Sequence, residues 1–299
     1  MSDRLTAPPG ADSVAVRALP PSPVTSAGPV RTRPPVAILC GGRGTRLREH
    51  TAEIPKPLVE IGGRPILWHV IQLYAAQGFT EFALATGYRG ELIREFVAGE
   101  NWSPPVAVEC VDTGPDTPTG GRIKLLQSWL CARARVRARS DGHDDRGDFF
   151  CATYADGLAD IDLGALLRFH AAHGALATMT VVRPELQFGV AELDGVDGRV
   201  LGFREKPRSE HWINGGFLCL GLGVLDRLRL DSVLEREPLR RLAADGQLRA
   251  SRHEGFWECM DTYKDAVALN DLWASGAAPW RAGASLGRPG GASAAVQLG

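Results

Sequence analysis

From Val36 onward, short β-branched or apolar runs take turns with segments of helical period, and this alternation constrains the fold more than any other feature of the chain. The runs are VAILC, EFALAT, VAVEC and FFCAT; between them stand PILWHVIQLYAAQG, GELIREFVAG and RIKLLQSWL. Strands joined through helices pair in parallel, because a parallel pair needs a long crossover. The pattern therefore predicts an α/β fold of Rossmann-like type, with a mixed, mostly parallel central sheet and helices on both faces. After Asp162 a helix, LGALLRFHAAHG, precedes the strands ALATMTVV, GVAEL, VLGFRE and GFLCLGL, which read as an extension of the same sheet before closing helices.

The flanks lack either period. Residues 1–34 are rich in Pro, Ala, Ser and Val and predict a disordered leader, and residues 281–299 predict a flexible Gly/Ala/Ser-rich tail. A single domain is thus expected over residues 35–280 of the 299-residue chain, whose 44% hydrophobic content suffices for a full core. Segment 131–148 places four arginines at alternate positions and then several aspartates, and reads as a solvated, self-neutralising surface loop. With 34 Lys+Arg against 35 Asp+Glu, the net charge of -1 gives no global basic field for nucleic acid or a membrane surface. Any bound anion must be gripped locally. The start of the chain has no secretory pattern and no run of 18 apolar residues occurs, so a cytoplasmic location is expected. The six cysteines form no C-x-x-C pair, and read as small buried side chains in a reducing compartment, not as a zinc site.

VAILC delivers the chain into Gly41, Gly42 and Gly44, at the carboxyl edge of the sheet where open α/β folds bind ligands. Bare glycine backbone lets N–H groups approach a phosphate or a base. Neither common phosphate motif applies: G-x-x-x-x-G-K is absent, and G-x-G-x-x-G fails at Leu47. Arg46 follows the glycines, and Lys56 stands between Pro55 and Pro57, which predicts an extended, stiff segment that aims the ammonium. Only four of the 34 basic residues are lysines, so a lysine at such a place suggests a need for a compact point charge. Two fixed cations beside bare backbone fit a polyphosphate.

The stretch GGRGTRL…PKPLVEIGGRPIL resembles the signature of the sugar-1-phosphate nucleotidyltransferase family. The likeness continues through VDTG, TGGR, ADGLADID, FREKP, INGGF, EPL and GFWECMDT, in order over roughly residues 36–280, and looks most like the bacterial glucose-1-phosphate cytidylyltransferases. The resemblance implies transfer of a nucleoside monophosphate, CMP from CTP, to a sugar 1-phosphate such as glucose 1-phosphate, with release of pyrophosphate. It implies Mg²⁺ held by Asp156 and Asp261; the other role open to either is turn formation or helix capping, Asp261 for a helix beginning near Thr262. It assigns Lys56 to the α-phosphate, Arg46 to the departing phosphates and Lys206 to the sugar phosphate, which makes Arg46, Lys56, Asp156, Lys206 and Asp261 the catalytic candidates. The nucleotide candidates are Gly41, Gly42, Gly44, Thr45, Arg46, Lys56, Thr119, Gly121 and Arg122, although Arg122 could instead be a helix N-terminal surface residue. Phe188, Gly189, Glu205, Lys206, Asn214 and Gly215 are the sugar-phosphate candidates, with a tight turn as the other reading of INGG.

Three departures from the family pattern are visible, one being that the Arg-rich segment after Trp129 is longer than expected. Ala155 stands where a glycine usually precedes the metal aspartate, and the connection NWSPPVAVEC is shorter than in the cytidylyltransferases. A homo-oligomer is expected, but the subunit arrangement of those enzymes does not carry over. Two alternatives stay open: the same chemistry with UTP, dTTP or GTP and a modified hexose or cyclitol phosphate, or a non-catalytic regulatory subunit that binds a nucleotide or sugar phosphate. Retention of Lys56, Asp156, Lys206 and Asp261 speaks against the second.

Overall fold

The computed structural model describes residues 33–44, 54–141 and 148–284. Strand β1 (Val36–Leu39) is followed by the hairpin β2 (Glu60–Ile61) and β3 (Arg64–Pro65), helix α1 (Ile66–Ala75), β4 (Glu81–Thr86), α2 (Gly90–Gly99) and β5 (Ala107–Asp112). Helices α3 (Thr119–Leu125) and α4 (Gln127–Asp141) lead to β6 (Phe149–Tyr154) and β7 (Gly157–Ala159). The second half runs α5 (Leu163–His173), β8 (Ala177–Val182), β9 (Val190–Leu193), β10 (Val200–Arg204), β11 (Ile213–Gly221), α6 (Glu237–Ala244), β12 (Leu248–Arg252), β13 (Trp257–Cys259) and α7 (Tyr263–Ala274).

The central sheet has seven strands in the order β12-β8-β11-β6-β1-β4-β5. β1 is parallel to β4 and β6, β5 to β4 and β12 to β8, whereas β11 is antiparallel to both neighbours. The sheet is mixed and mostly parallel, as the alternation predicts. The pleat divides the core. Val36 and Ile38 face one cluster with Ile66, Val70, Phe82 and Leu166, while Ala37 and Leu39 face the other with Ile123, Leu130, Phe150 and Leu242. All four β1 residues are buried, as a strand covered on both faces requires.

GVAEL and VLGFRE do not extend this sheet. Among the described residues, β9 and β10 pair with each other alone, as an antiparallel ribbon. Their sequences explain it: a central strand needs two apolar faces, but Glu192 and Arg204 form an ion pair across the ribbon at 3.3 Å. β7 and β13 form another separate pair. The Arg-rich segment also differs from expectation, since residues up to Asp141 belong to α4. Ala and Arg are good helix formers, Leu130 and Ala134 are buried on one side, and Arg133 lies over the Trp129 ring at 4.1 Å while pairing with Glu81 and Glu109. Its remainder, residues 142–147, lies outside the described residues.

α5 is bounded as its sequence predicts. Asp162 caps it by accepting from Ala165 N–H at 2.8 Å, and Gly174 ends it at φ 65°. The leader expected over 1–34 is described only at Arg33 and Pro34, where Arg33 Nε donates to Gln77 O at 2.9 Å. Of the tail, residues 281–284 complete a 3₁₀ turn, Pro279–Ala284, in which Trp280 is buried; the rest lies outside the described residues. None of the six cysteines is in a disulfide; Cys40, Cys151 and Cys219 are buried, but Cys110, Cys131 and Cys259 only partly so. No described helix is long and apolar enough to cross a membrane.

Candidate functional site

β4 and β5 step outward on one side of β1, and β6 then pairs with its other side. The connections leaving β1 and β6 therefore diverge, which opens a crevice at the carboxyl ends of these two strands. A cavity of about 490 Å³ lies there, lined by Leu39 to Gly44, Lys56, Pro57, Pro115 to Thr119, Arg122, Tyr154 to Asp156 and Asp261. It gathers Gly41, Gly42, Gly44, Lys56, Thr119, Arg122, Asp156 and Asp261 from the sequence candidates. Thr45 and Arg46 lie outside the described residues.

Lys56 is the centre of this arrangement. It opens a one-turn 3₁₀ helix, Lys56–Leu58, rather than an extended segment; Pro55 before it is extended, and Pro57 suits the first turn of a helix. Its ammonium lies 2.5 Å from Asp156 Oδ2 and 2.7 Å from Asp261 Oδ1. Burial acts to lower the lysine pKa, but the two carboxylates outweigh it and hold Lys56 above its ordinary value. Asp156 follows β6, and Asp261 follows β13. The β7–β13 pairing brings the two segments together, and Met260 N–H donates to Asp156 O at 2.9 Å.

Asp261 does not cap α7. Thr262 does, in a capping box with Asp265, whose carboxylate also accepts from Asp261 N–H at 3.0 Å. The Asp261 side chain is thereby left to the cavity. One ligand atom each of Asp156, Asp261 and Cys259 lies within 4.8 Å of the others, a donor set in which two carboxylate oxygens suit a hard divalent cation. Ala155, in the place where a glycine is usual, is buried.

Arg122 is neither a surface residue nor part of a loop. TGGR forms the first turn of α3, and the guanidinium is buried, donating to Thr86 O, Thr113 Oγ1, Gly114 O, Gly41 O and Pro115 O at 2.5–3.3 Å. Burial acts to lower its pKa. Gly41 is required by this packing, since a Cβ there would lie 1.9 Å from Arg122 Nη1. Gly121 meets backbone in the same way: its Cβ would lie 2.1 Å from Leu230 O, and its N–H donates to Ser232 O at 3.1 Å.

The sugar-phosphate candidates form a second group, along the β9–β10 ribbon and the start of β11, and none lines the cavity. Phe188 is 78% exposed, and Glu205 and Lys206 are exposed, with Lys206 at φ 44° just past β10. A Cβ on Gly189 would lie 2.9 Å from Glu205 Oε2, which places those two together. INGG is not a tight turn: Asn214 and Gly215 lie within β11, at a register irregularity against β8, where Asn214 Oδ1 accepts from Gly216 N–H at 2.9 Å and Gly215 O accepts from Trp257 Nε1 at 2.8 Å.

Sequence reasoning misses Tyr154, Glu235, Asp116 and Cys259. Asp116 pairs with Arg43 at 2.8 Å beside the glycine loop. Tyr154 donates to Glu235, and burial, reinforced by that carboxylate, pushes its phenol pKa up. Position relative to motifs is the available signal: Tyr154 stands two residues before Asp156, and Glu235 two before EPL.

The family profile described as Nucleotidyl transferase matches residues 36–254. The chain is 40% identical over 266 residues to the glucose-1-phosphate cytidylyltransferase of Salmonella typhi, which spans 82% of this chain and 97% of that protein. It is 39% identical over 266 residues to a Bacillus subtilis protein named "Probable glucose-1-phosphate cytidylyltransferase", which spans 82% of this chain and 98% of that one. Among solved structures, HddC from Yersinia pseudotuberculosis superposes with a TM-score of 0.59 at 21% identity, covering 80% of this chain and 98% of HddC, a likeness of fold.

Proposed function

Because the chain belongs to the nucleotidyl transferase family, we propose that it transfers CMP from CTP to a sugar 1-phosphate, glucose 1-phosphate in the first instance, and releases pyrophosphate. The observation that carries this reading is the 40% identity extending over 97% of the Salmonella typhi cytidylyltransferase. The cavity supports it chemically, with a bare glycine loop, a lysine and two aspartates at one sheet edge.

In such a transfer an oxygen of the sugar phosphate attacks the α-phosphorus, a new P–O bond forms, and the bond to the departing pyrophosphate breaks. Negative charge gathers between groups already anionic, so positioning and neutralisation dominate. Asp156 and Asp261 would hold Mg²⁺, which neutralises phosphate charge when bound; the two carboxylates and their spacing fit that ion. Lys56, which contacts both aspartates, neutralises the α-phosphate in this reading. Gly41, Gly42 and Gly44 let backbone approach the nucleotide, Arg122 holds that loop from behind through Gly41 O, and Thr119 lines the same cavity with its hydroxyl held by Glu235. Lys206 receives the sugar phosphate, with Phe188, Gly189, Glu205, Asn214 and Gly215 around the ring. A homo-oligomer in the cytoplasm completes the reading, the oligomer to be checked by sedimentation.

The test is pyrophosphate release from glucose 1-phosphate with CTP, UTP, dTTP, ATP and GTP in separate reactions containing Mg²⁺. Release with CTP alone is expected. Release with another base would keep the mechanism and discard the cytidylyl assignment; silence across this panel and a sugar-phosphate panel would discard the enzyme reading.

A further inference from the structure

Three segments distant in the chain meet at one carboxylate. Glu235, in the turn before α6, accepts from Thr119 Oγ1 at 2.7 Å through Oε2 and from the Tyr154 hydroxyl through Oε1. Thr119 Oγ1 also accepts from Leu234 N–H at 2.9 Å, so its position is set from both sides. Asn214 Nδ2 points to the Tyr154 oxygen at 3.4 Å. The orientation of that amide is fixed because its Oδ1 accepts from Gly216 N–H at 2.9 Å. Each hydroxyl has one proton to give, and both protons go to Glu235.

Thr119 and Tyr154 line the cavity that holds the nucleotide candidates, whereas Asn214 belongs to the group around the sugar-phosphate candidates. A carboxylate accepts from two hydroxyls at once through separate oxygens, with charge-assisted bonds about twice as strong as neutral ones. An amide in its place has one acceptor oxygen. We propose that Glu235 is a positioning residue, which through Thr119 and Tyr154 sets the separation between the nucleotide wall and the sugar-phosphate wall. Tyr154 is the link that carries this setting to Asn214. The inference rests on the transfer reading above and deepens it. Attack on phosphorus depends on the approach of the two substrates, and a misplacement of about 1 Å can cost on the order of 10²-fold in rate. Neither Glu235 nor Tyr154 is required to touch a reacting atom.

The experiment measures kcat, KM for CTP and for glucose 1-phosphate, and melting temperature for the wild-type chain, Glu235→Ala, Glu235→Gln, Tyr154→Phe and the Glu235→Ala/Tyr154→Phe pair. Glu235→Ala and Tyr154→Phe should each lower kcat about tenfold or more, from the loss of bonds to a charged group, while both KM values stay within about threefold. Glu235→Gln should fall between, because its carbonyl oxygen still accepts one hydroxyl. The double variant should be no slower than the slower single variant, since one relay is broken once. An unchanged kcat in Tyr154→Phe would overturn the proposal, as would losses confined to KM and melting temperature, the mark of a merely structural contact. A wild-type chain silent with every nucleotide and sugar phosphate would instead overturn the transfer reading, and this proposal with it.

Discussion

Substituting Gly41 by Ala drives a methyl group into a buried guanidinium. The new Cβ would lie 1.9 Å from Arg122 Nη1 and 2.1 Å from Cζ, so the side chain must leave its place. The cost can be worked from what Arg122 abandons. Thr86 O keeps the Thr113 N–H at 2.9 Å and the Thr113 hydroxyl at 2.6 Å, and Gly41 O keeps the Tyr88 N–H at 3.2 Å. The Gly114 and Pro115 carbonyls, among the described residues, accept from the guanidinium alone. Two carbonyls losing a charged donor, at about 1–3 kcal/mol each and with some relief from water in the cavity, give a loss of about 3 kcal/mol. Arg122→Ala should cost about the same. Because both changes remove one set of bonds, Gly41→Ala/Arg122→Ala should be no less stable than Arg122→Ala, a coupling of about 3 kcal/mol. Urea unfolding followed by tryptophan fluorescence reads this directly, since 3 kcal/mol corresponds to a midpoint shift of about 1 M for a domain of this size. If the two single costs add in the double variant, or Gly41→Ala stays within about 0.5 kcal/mol of wild type, the account of Arg122 as the clamp of this loop is wrong.

Asp156→Asn should lower turnover by at least about 10²-fold in the pyrophosphate assay with the melting temperature nearly unchanged; near-normal turnover would remove Asp156 from the cation site. Lys206→Ala should raise the KM for the sugar phosphate about tenfold and leave that for CTP in place, and unaltered constants would sink its assignment. His69 supplies a pH dependence: Nε2 contacts Ile61 O at 2.7 Å, Trp280 Nε1 donates to Nδ1 at 3.4 Å, and burial, aided by Arg281 and Arg64, holds the imidazolium below its ordinary 6.5. The unfolded chain then binds a proton more readily than the folded one, so this contribution to stability is complete above about pH 6.5 and falls as pH drops below it. The melting temperature should decline more steeply from about pH 7.5 to about pH 5.5 in wild type than in His69→Phe, and equal slopes would refute the assignment.

The crevice is legible in the sequence because β1 and β6 are both continuous apolar runs ending near small or acidic residues, and a parallel sheet leaves few places for the loops beyond them. Lys56 and Asp156 can be placed from such local signals. Their meeting with Asp261 cannot, since it depends on β13 pairing with β7 across roughly 100 residues of chain. Arg122 shows the converse. Its sequence surroundings suit either a ligand contact or a surface helix, and only the five acceptors converging on it reveal a buried clamp. The β9–β10 ribbon departs from expectation because its apolar runs satisfy strand propensity, while the charge pair Glu192–Arg204 that suits it to solvent is one residue on each strand. In α4 the alternating charges suggest a loop, but helix propensity prevails, and the packing of Leu130 and Ala134 settles the matter.

The bridge made by Lys56 gives the resting protein an internal counter-ion. Two carboxylates separated by 105 positions in sequence are held at a fixed spacing by one ammonium before any ligand arrives. Were an anion to draw Lys56 toward itself, both acids would be uncovered together, and the repulsion this leaves would favour a cation or a proton between them. One side chain would in this way tie the arrival of negative charge to demand for positive charge.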